Sequence, residues 1–264
     1  MKNNLPKSEE DIFGILRNCD IVAGDTLLLH SNITKWTISL FKSGNKKPLQ
    51  LILDSLINFL GKEGTLLLPT FNFDFSNFGY YDYIKTPSQM GSLSQESLKR
   101  KNFTRTKHPI YSFAVHGYHS KLFINLQNIG ATSSDSPFAL IRKLNGKIGI
   151  IDLSDQDSMT FYHYVEDYLS VPYRYNKIFN GKYINENGNE VFSSYSLNVR
   201  NSDEGIETFL YSAEEMLWEN EFYVGEKPLS GAGLRVIDCQ VFCEFVEKFI
   251  DSPENKLYKI NKKN

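Results

Sequence analysis

The chain has 264 residues, of which 41% are hydrophobic and 14% aromatic, enough for one large α/β domain or two small ones. Its 29 basic and 31 acidic residues nearly balance, and no basic block with interleaved aromatics occurs, which argues against a nucleic-acid partner. No apolar run approaches the length of a membrane span, and acids occupy the N-terminal segment where a signal peptide would be apolar. The three cysteines show no zinc-ligand spacing, so we expect a cytoplasmic protein without a metal site.

The first part of the chain alternates helices and strands. SEEDIFGILRNCDI predicts a helix with Ser8 as its N-cap, and DTLLLHSN predicts a strand that ends at His30 and Ser31. KKPLQLILDSLINFLG predicts an apolar helix closed by Gly61, and GTLLLPTFNF a second strand broken by its proline. This strand–helix–strand order indicates a βαβ unit with parallel strands.

The middle of the chain opens with a long aromatic and polar connection, residues 72–90. A short helix (GSLSQESLKRK), a strand (HPIYSFAVHG) and a helix that starts near Asp135 or Ser136 follow. GKIGIIDLS predicts a buried strand, and the segment after it predicts a helix that ends before Pro172.

The last third predicts a β-hairpin over residues 178–200 that turns at residues 186–188, and then two helices, GIETFLYSAEEMLWEN and DCQVFCEFVEKFID. The fold class that we expect is therefore α/β. It consists of a central, mostly parallel sheet flanked by helices, with an added antiparallel hairpin, in a single domain over residues 1–264.

Polar side chains follow three of the predicted strands. LLLHS ends in His30 and Ser31, LLLPT ends in Thr70, and IIDLSDQDS ends in the acidic and hydroxyl residues 152–158. If the strands are parallel, these ends lie at one edge of the sheet, where open α/β sheets bind ligands. The sequence therefore predicts a pocket lined by hydroxyls, a histidine and carboxylates.

His163 is the most suggestive single residue, because it lies in an aromatic run on the helix beyond the third of these strands. Glu166 is three residues later on the same helix face, and Asp157 lies near the start of the helix. A histidine accepts a proton near neutral pH, and a carboxylate on its other ring nitrogen, from Glu166 or Asp157, would fix its tautomer. The competing interpretation is a histidine packed among aromatic neighbours with its nitrogens bonded to the backbone.

Several well-known motifs do not occur in the sequence: GxSxG, GxGxxG, the Walker loop and HExxH. Their absence argues against an α/β-hydrolase, a nucleotide cofactor on a glycine-rich turn and a zincin-type metal site. A hydrolase that pairs Ser31 or Ser158 with His163 stays open, since sequence cannot show the contact that it needs.

Six segments occur in the order and rough spacing of one known family: GDTLLLHSNI, GTLLLPTFNF, QMGSLSQ, RTKHPIYSFAVHG, SPFALIRKLNGKIGII and DSMTFYHYVED. Through them the chain resembles the aminoglycoside 3-N-acetyltransferase family. The match runs from about Gly24 to Tyr175, and its most specific parts are the HPxxSF and TxxHxxE segments.

The resemblance implies an α/β acyltransferase that moves an acetyl group from acetyl-CoA to an amine and needs no metal. It implies that His163 is the general base, with Glu166 and Asp157 as the nearby carboxylates and Thr160 as a hydroxyl close to the reacting centre. It also implies that the CoA arm lies beside four further residues: His30, Ser31, Thr70 and Ser112.

Two departures from the family pattern bear on the pocket. Asp152 stands where the family often has glycine, and Met159, Phe161 and Tyr162 are larger than the residues usual there. We expect Asp152 to alter the loop near the acyl group, and the three larger residues to reshape the acceptor or acyl pocket.

The acceptor is predicted from charge and aromatic content. Aminoglycosides are polycations, whereas this chain is nearly neutral, and its connection 72–90 offers aromatic rings together with Asp74. Arg174 and Lys177 could meet a diphosphate. We therefore expect a nucleotide-linked amino sugar for surface-polysaccharide synthesis, with Asp74 and Arg174 as substrate-binding residues. Two alternatives stay open: an aminoglycoside acceptor, and a catalytically silent protein that binds CoA or a sugar. A homo-oligomer is possible in each case.

Overall fold

The computed structural model describes residues 5–261. The helices are α1 (Glu9–Asn18), α2 (Thr34–Lys42), α3 (Pro48–Leu60), α4 (Asp74–Phe78), α5 (Ser92–Ser97), α6 (Ser120–Ile124), α7 (Pro137–Lys143), α8 (Asp155–Ser158), α9 (Phe161–Tyr168), α10 (Tyr211–Glu219) and α11 (Cys239–Asp251). The strands are β1 (Thr26–Ser31), β2 (Thr65–Pro69), β3 (Tyr80–Asp82), β4 (Thr104–Arg105), β5 (Phe113–Gly117), β6 (Lys147–Ile151), β7 (Arg174–Ile184), β8 (Glu190–Arg200), β9 (Ile206–Thr208), β10 (Val224–Gly225), β11 (Leu234–Asp238) and β12 (Tyr258–Ile260).

The central sheet has seven strands in the order β10–β11–β6–β1–β2–β5–β4. Its middle strands β6, β1 and β2 run parallel, whereas β11 and β5 join them antiparallel on either side. The predicted α/β class, with helices flanking a sheet that has a parallel centre, is confirmed. The carboxyl ends of β6, β1 and β2 consequently meet at one edge, which is the edge where the sequence placed its polar residues.

Local signals explain why the first helices begin and end where they do. The Ser8 hydroxyl accepts a hydrogen bond from the Asp11 amide at the start of α1, as its N-cap position predicts. Proline occupies the first position of α3, where its missing N–H costs nothing, and Gly61 closes that helix at a φ of 69°. These predicted bounds are confirmed.

Apolar side chains fill both faces of the central strands. Leu28, Leu67 and Ile148 point into one core with α9 and α11, and Leu27 and Leu66 point into the other with α1 and α3. Because successive side chains of a strand point to opposite faces, a strand buried on both sides has to be apolar throughout. The runs LLL and IGII of the sequence follow from this double burial.

The hairpin of β7 and β8 is longer than predicted, because β7 begins at Arg174 rather than at residue 178. Its turn closes between Asn185 and Asn189, and β3 adds to β7 as a third strand. The connection 72–90 is therefore structured, with α4 and β3 in it. Phe75 and Tyr81 of this connection are buried in the core beneath the hairpin, so these two aromatic side chains do not offer a sugar-stacking surface.

Two elements beside the candidate site were not predicted. Helix α2 directly follows β1, and β11 pairs with β6 near the centre of the main sheet. Arg235 interrupts the apolar pattern of β11, although its side chain is fully buried. Within residues 5–261, no helix is long and apolar enough to cross a membrane.

Candidate active site

The segment that carries the candidate residues leaves the carboxyl end of β6 through a strained turn at Asp152. This residue has a φ of 53°, in the left-handed region that glycine adopts most easily. Its carboxylate accepts hydrogen bonds from Lys35 Nζ at 3.1 Å and from the Leu229 amide at 2.6 Å. The backbone conformation explains why glycine suits this position, and the two hydrogen bonds hold aspartate in it.

A buried ionic network holds α8 against the sheet. Asp155 Oδ1 lies 2.7 Å from Arg235 Nη2, and the Asp155 carboxylate accepts hydrogen bonds from the hydroxyls of Tyr162 and Tyr223. Glu214 accepts from the Asp155 amide at 3.0 Å and lies 3.3 Å from Arg235. Burial and the charge of Asp155 raise the pKa of Glu214. Tyr162 thus points into the core rather than into a substrate pocket, and Phe161, with no exposed surface, does the same.

His163 and Glu166 form the predicted pair on one face of α9. His163 Nδ1 lies 2.8 Å from Glu166 Oε2, with 22% of the histidine side chain and 1% of the glutamate side chain exposed. Arg174 lies beside both, with its Nε 2.7 Å from Glu166 Oε2 and its Nη2 2.8 Å from His163 Nδ1. The carboxylate that orients His163 is therefore Glu166. Asp157 instead accepts from the Ser154 hydroxyl at 2.6 Å, and it faces solvent.

The proton on His163 is assigned from these neighbours. Glu166 and Arg174 both reach Nδ1, but Nδ1 can either donate to the carboxylate or accept from the guanidinium. A buried, ionised Glu166 is an acceptor only, whereas Arg174 Nη2 has Thr208 Oγ1 as another acceptor at 3.4 Å. We therefore place the proton on Nδ1, which leaves the lone pair of Nε2 available to a substrate.

The electrostatic setting keeps His163 neutral. Burial and the positive charge of Arg174 lower the pKa of His163 from its usual 6.5, against the opposing effect of Glu166. The pKa of Glu166 is also lowered: burial alone would raise it, but the hydrogen bond with His163 and the charge of Arg174 outweigh that effect. A neutral imidazole beside an ionised carboxylate is suited to act as a general base.

Three cavities lie next to one another at this site, and two of them are lined by His163. The sheet-edge cavity, of about 370 Å³, lies at the ends of β1 and β2 and is lined by His30, Ser31 and Thr160. The central cleft, of about 200 Å³, contains both Thr160 and His163. The hairpin cavity, of about 320 Å³, lies between His163 and the β7–β8 hairpin. The sheet-edge cavity shares Thr160 with the central cleft, and the central cleft shares His163 with the hairpin cavity. The three cavities therefore follow one another in this order.

His30 lines the sheet-edge cavity. Its side chain is 4% exposed, and its Nε2 has no hydrogen-bond partner among the residues that the structure describes. Burial, with the charge of Arg235, lowers the pKa of His30 to about 4, so the ring is neutral. A buried polar nitrogen without a partner is costly unless something binds it, and a polar group of a ligand would remove that cost.

Thr70 and Ser112 do not line this cavity. Both are fully buried, and their hydroxyl oxygens lie 3.0 Å apart. Arg105 donates to the Ser112 hydroxyl at 2.9 Å and to the Thr70 carbonyl at 2.7 Å. The expected contact of these two residues with the CoA arm is therefore not supported, because the Ser112 hydroxyl and the Thr70 carbonyl bind a buried arginine, and the Thr70 hydroxyl contacts that of Ser112. Asp74, expected to bind the substrate, lies on α4 and lines none of the three cavities.

Arg174 was expected to bind the substrate and meet a diphosphate, but it lies on β7 with only 5% of its side chain exposed. Its guanidinium is committed to Glu166, His163 and the Asn198 carbonyl. Arg200 of β8 is an exposed cation beside the site, and it was missed. A hairpin centred on Asn187 pairs residues equally distant from it, so extending the predicted hairpin back to residue 174 would have placed Arg200 opposite Arg174.

The competing chemistries find little support in the geometry. In the described part of the chain, neither Ser31 nor Ser158 hydrogen-bonds to His163, and the Ser158 hydroxyl donates to the Ser154 carbonyl at 2.6 Å. A serine–histidine dyad for hydrolysis is thus not formed. Across residues 5–261, no group of three or more His, Cys, Asp or Glu side chains could hold a metal ion.

Comparison with known proteins agrees with the geometry. A family model described as aminoglycoside 3-N-acetyltransferase matches residues 28–251. Among solved structures, AAC(3)-IVa has a TM-score of 0.69 at 20% identity, with 96% of this chain and 92% of that chain covered. Sisomicin-bound AAC-VIa has a TM-score of 0.75 at 18% identity (93% and 98% covered), and AAC-IIIb with CoASH 0.76 at 13% identity (92% and 96% covered). No curated protein sequence matches the chain.

Proposed function

Because the chain belongs to the aminoglycoside 3-N-acetyltransferase family and is an N-acetyltransferase with acetyl-CoA as its acyl donor, we propose that His163 is the general base of this transfer. The observation that carries the proposal is the 2.8 Å contact between His163 Nδ1 and Glu166 Oε2, on a side chain that lines the central cleft. Among the described residues, Nε2 has no hydrogen-bond partner. The catalytically silent alternative is disfavoured because the base and its carboxylate are both present and in contact.

A protonated amine has no lone pair, so the amine first loses one proton to solvent and attacks as the neutral form. His163 Nε2 removes a proton from the amine as its nitrogen attacks the thioester carbonyl, and the imidazolium formed is stabilised by Glu166. The tetrahedral intermediate then collapses, the C–S bond breaks, and CoA leaves as the thiolate. The proton on Nε2 can pass to that thiolate, which restores neutral His163.

Thr160 is placed to stabilise the oxyanion of that intermediate. It is the residue before α9 and lines both the sheet-edge cavity and the central cleft, one helical turn from His163. In the described part of the chain its hydroxyl makes no side-chain hydrogen bond, so it is free to donate to a developing charge. One such donor contributes on the order of 100-fold or more to kcat in acyl transfer.

The acyl donor fits the sheet-edge cavity. His30 Nε2 lacks a partner there, and Ser31 and Thr34 add hydroxyls beside it. The amides and hydroxyl of the CoA arm are the kind of polar groups that these side chains would bind. Of the four residues that were predicted beside the CoA arm, we therefore keep His30 and Ser31 in the proposal and drop Thr70 and Ser112.

The acceptor proposed here is the amine of an aminoglycoside, which was the alternative of the sequence analysis. The family model supports it, and sisomicin-bound AAC-VIa shares the fold. A nucleotide-linked amino sugar is the second candidate. One observation favours it: the hairpin cavity is lined by three cations and, among the residues described, by no carboxylate.

The decisive experiment is thiol release from acetyl-CoA with a panel of amines. The panel contains sisomicin, gentamicin and apramycin beside nucleotide-linked 3- and 4-amino sugars. Release with the aminoglycosides supports the proposed acceptor, and release with the nucleotide-linked sugars alone replaces it with the second candidate. No release with any amine contradicts both.

The role of the base is tested with His163→Gln. We expect kcat/KM to fall by at least about 100-fold, because general-base catalysis contributes 10²–10⁴-fold, while the folded state survives. His119→Gln, on the helix cap that follows β5, is the matched control and should keep its activity. Near-wild-type turnover of the His163 variant would exclude the mechanism.

A further inference from the structure

The hairpin cavity contains two cations that the folded protein does not use. Lys177 lies on β7 and Arg200 at the end of β8, and both side chains are exposed. In the part of the chain that the structure describes, neither makes an ion pair. By contrast, Lys182 of the same strand pairs with Glu190 at 2.9 Å. Unlike most exposed cations of a protein surface, Lys177 and Arg200 line a cavity, and His163 lines the same cavity.

The strand register places Arg200 in an unfavourable position. It stands directly opposite Arg174 across the antiparallel pair, and like charges in that arrangement destabilise a sheet. Arg174 is neutralised by Glu166 at 2.7 Å, but among the described residues no carboxylate lines the hairpin cavity itself. A carboxylate that faces solvent, Asp157, lines the adjoining central cleft, which Arg200 also lines. An excess of positive charge therefore remains there, and a bound anion would relieve it.

The rest of the cavity wall indicates what kind of anion could enter. The rings of Phe73, Tyr111 and Phe179 line it, and Lys177 Nζ lies 5.4 Å from the centre of the Phe179 ring. Aromatic faces stack on bases and sugars, while arginine and lysine bind phosphate oxygens. The combination fits a phosphorylated group that is attached to a ring.

We propose that Lys177 and Arg200 form a subsite for a phosphoryl group of a substrate, such as a diphosphate. The proposal rests on the N-acetyltransferase function and deepens it, because the subsite adjoins His163. Two sources share this chemistry: the diphosphate of CoA and a diphosphate on a nucleotide-linked acceptor.

The test measures binding by calorimetry at low salt, where charge contacts are least screened. The probes are CoA, UDP and pantetheine, which is the CoA arm without phosphates. The proteins are wild type, Lys177→Gln, Arg200→Gln, the double variant and the control Lys182→Gln, which removes an exposed lysine from the same strand. We expect each single variant to weaken binding of a phosphorylated probe by about 10-fold, and the double variant by more, with pantetheine unaffected.

The pattern of losses identifies the source of the phosphate. Weaker binding of CoA alone assigns the subsite to the acyl donor, and weaker binding of UDP assigns it to the acceptor. If the double variant binds CoA and UDP as tightly as wild type, or if wild type binds neither probe, the subsite does not exist. Because binding is measured without turnover, a failed acetyl transfer would overturn the proposed function while leaving this result readable.

A stability measurement separates the subsite from a structural role. A residue that holds the hairpin together lowers the melting temperature when it is replaced. Removal of Arg200 relieves the repulsion with Arg174, so the melting temperature of Arg200→Gln should equal or exceed that of wild type. A clear drop in melting temperature, accompanied by equal loss of pantetheine binding, would contradict the proposal.

Discussion

At the scale of single residues, Arg174 sets the charge state of the candidate base. Its guanidinium contacts both His163 and Glu166, and its charge helps burial to lower the pKa of the histidine. Arg174 therefore keeps the base unprotonated at neutral pH and is a positioning residue rather than a substrate-binding one. It arrives from β7, outside the segment that carries the TxxHxxE pattern.

The pH dependence of kcat/KM tests this role. The base is active when it is neutral, so activity falls as pH drops through the pKa of His163, which lies below 6.5 in the folded protein. In Arg174→Gln the positive charge is gone and Glu166 remains, so the pKa rises and the acid limb moves to higher pH. Wild type and variant are measured with the same acceptor, so the ionisation of the acceptor amine affects both pH profiles equally. A limb that stays in place, or moves to lower pH, contradicts this assignment.

The histidine of the HPxxSF segment, His108, has a structural role. Its Nδ1 accepts from the amides of Ile110 and Tyr111, so its Nε2 carries the proton and donates to the Ile129 carbonyl at 3.2 Å. The ring is 1% exposed and lies outside the three cavities around His163. This histidine therefore fixes the turn that carries Tyr111, and its own side chain lines none of the three cavities.

Replacement of His108 by alanine should consequently affect stability. Two buried amides and one carbonyl would lose their partner, which costs about 2–4 kcal/mol of unfolding free energy. Urea unfolding measures this loss, with His119→Ala, a partly exposed histidine, as the control. A change below about 1 kcal/mol would show that the hydrogen bonds of His108 are replaceable.

At the scale of elements, the position of α8 and α9 depends on a strand from the far end of the chain. Arg235 of β11 binds Asp155 at 2.7 Å and donates to the Leu153 carbonyl at 2.6 Å. Its side chain is fully buried, as is that of Asp155. The strand thus anchors the turn from which the helix with His163 departs.

Arg235→Leu should be strongly destabilising. It leaves Asp155 and Glu214 as neighbouring carboxylates without their cation, and breaking a buried ion pair from one side costs about 3–5 kcal/mol. Arg17→Leu, which removes a largely exposed pair with Glu10, should change the unfolding free energy by less than about 1 kcal/mol. Chemical denaturation compares the two, and an equal effect would argue against the anchoring role.

At the scale of the whole molecule, two buried neutral histidines couple folding to pH. Burial is the main cause that lowers the pKa of both His30 and His108 to about 4 in the folded chain, against 6.5 for the free side chain. Between these values the unfolded chain binds more protons than the folded one. Stability is therefore lost as pH falls from 6.5 toward 4, by up to about 3 kcal/mol for each histidine.

We predict that the unfolding free energy falls steeply at acid pH because of these two histidines. The unfolding free energy of wild type should be lower at pH 4.5 than at pH 7, and the difference should shrink in His30→Gln by up to about 3 kcal/mol. His119→Gln, with its partly exposed ring, serves as the control. An unchanged pH dependence in His30→Gln would mean that His30 is not held neutral by the fold.

Much of the fold could be predicted from the sequence because the signals are local. Helix caps such as Ser8 and Gly61, the apolar runs of β1, β2 and β6, and the turn of the hairpin all depend on residues close together in the chain. The pairing of His163 with Glu166 belongs to the same class, since residues three apart on a helix share a face.

Contacts between segments that are distant in the chain could not be predicted from the sequence. Arg174 and Arg200 reach the site from the hairpin, Arg235 reaches it from β11, and Thr70 and Ser112 turn inward to hold Arg105. Sequence spacing carries no distance between such residues, and a hydroxyl near a strand end looks the same whether it faces a ligand or a buried cation. Local spacing was enough to predict most of the elements, the family resemblance and the candidate base, although α2 and β11 were missed. The contact of that base with Arg174 depends on how the elements pack.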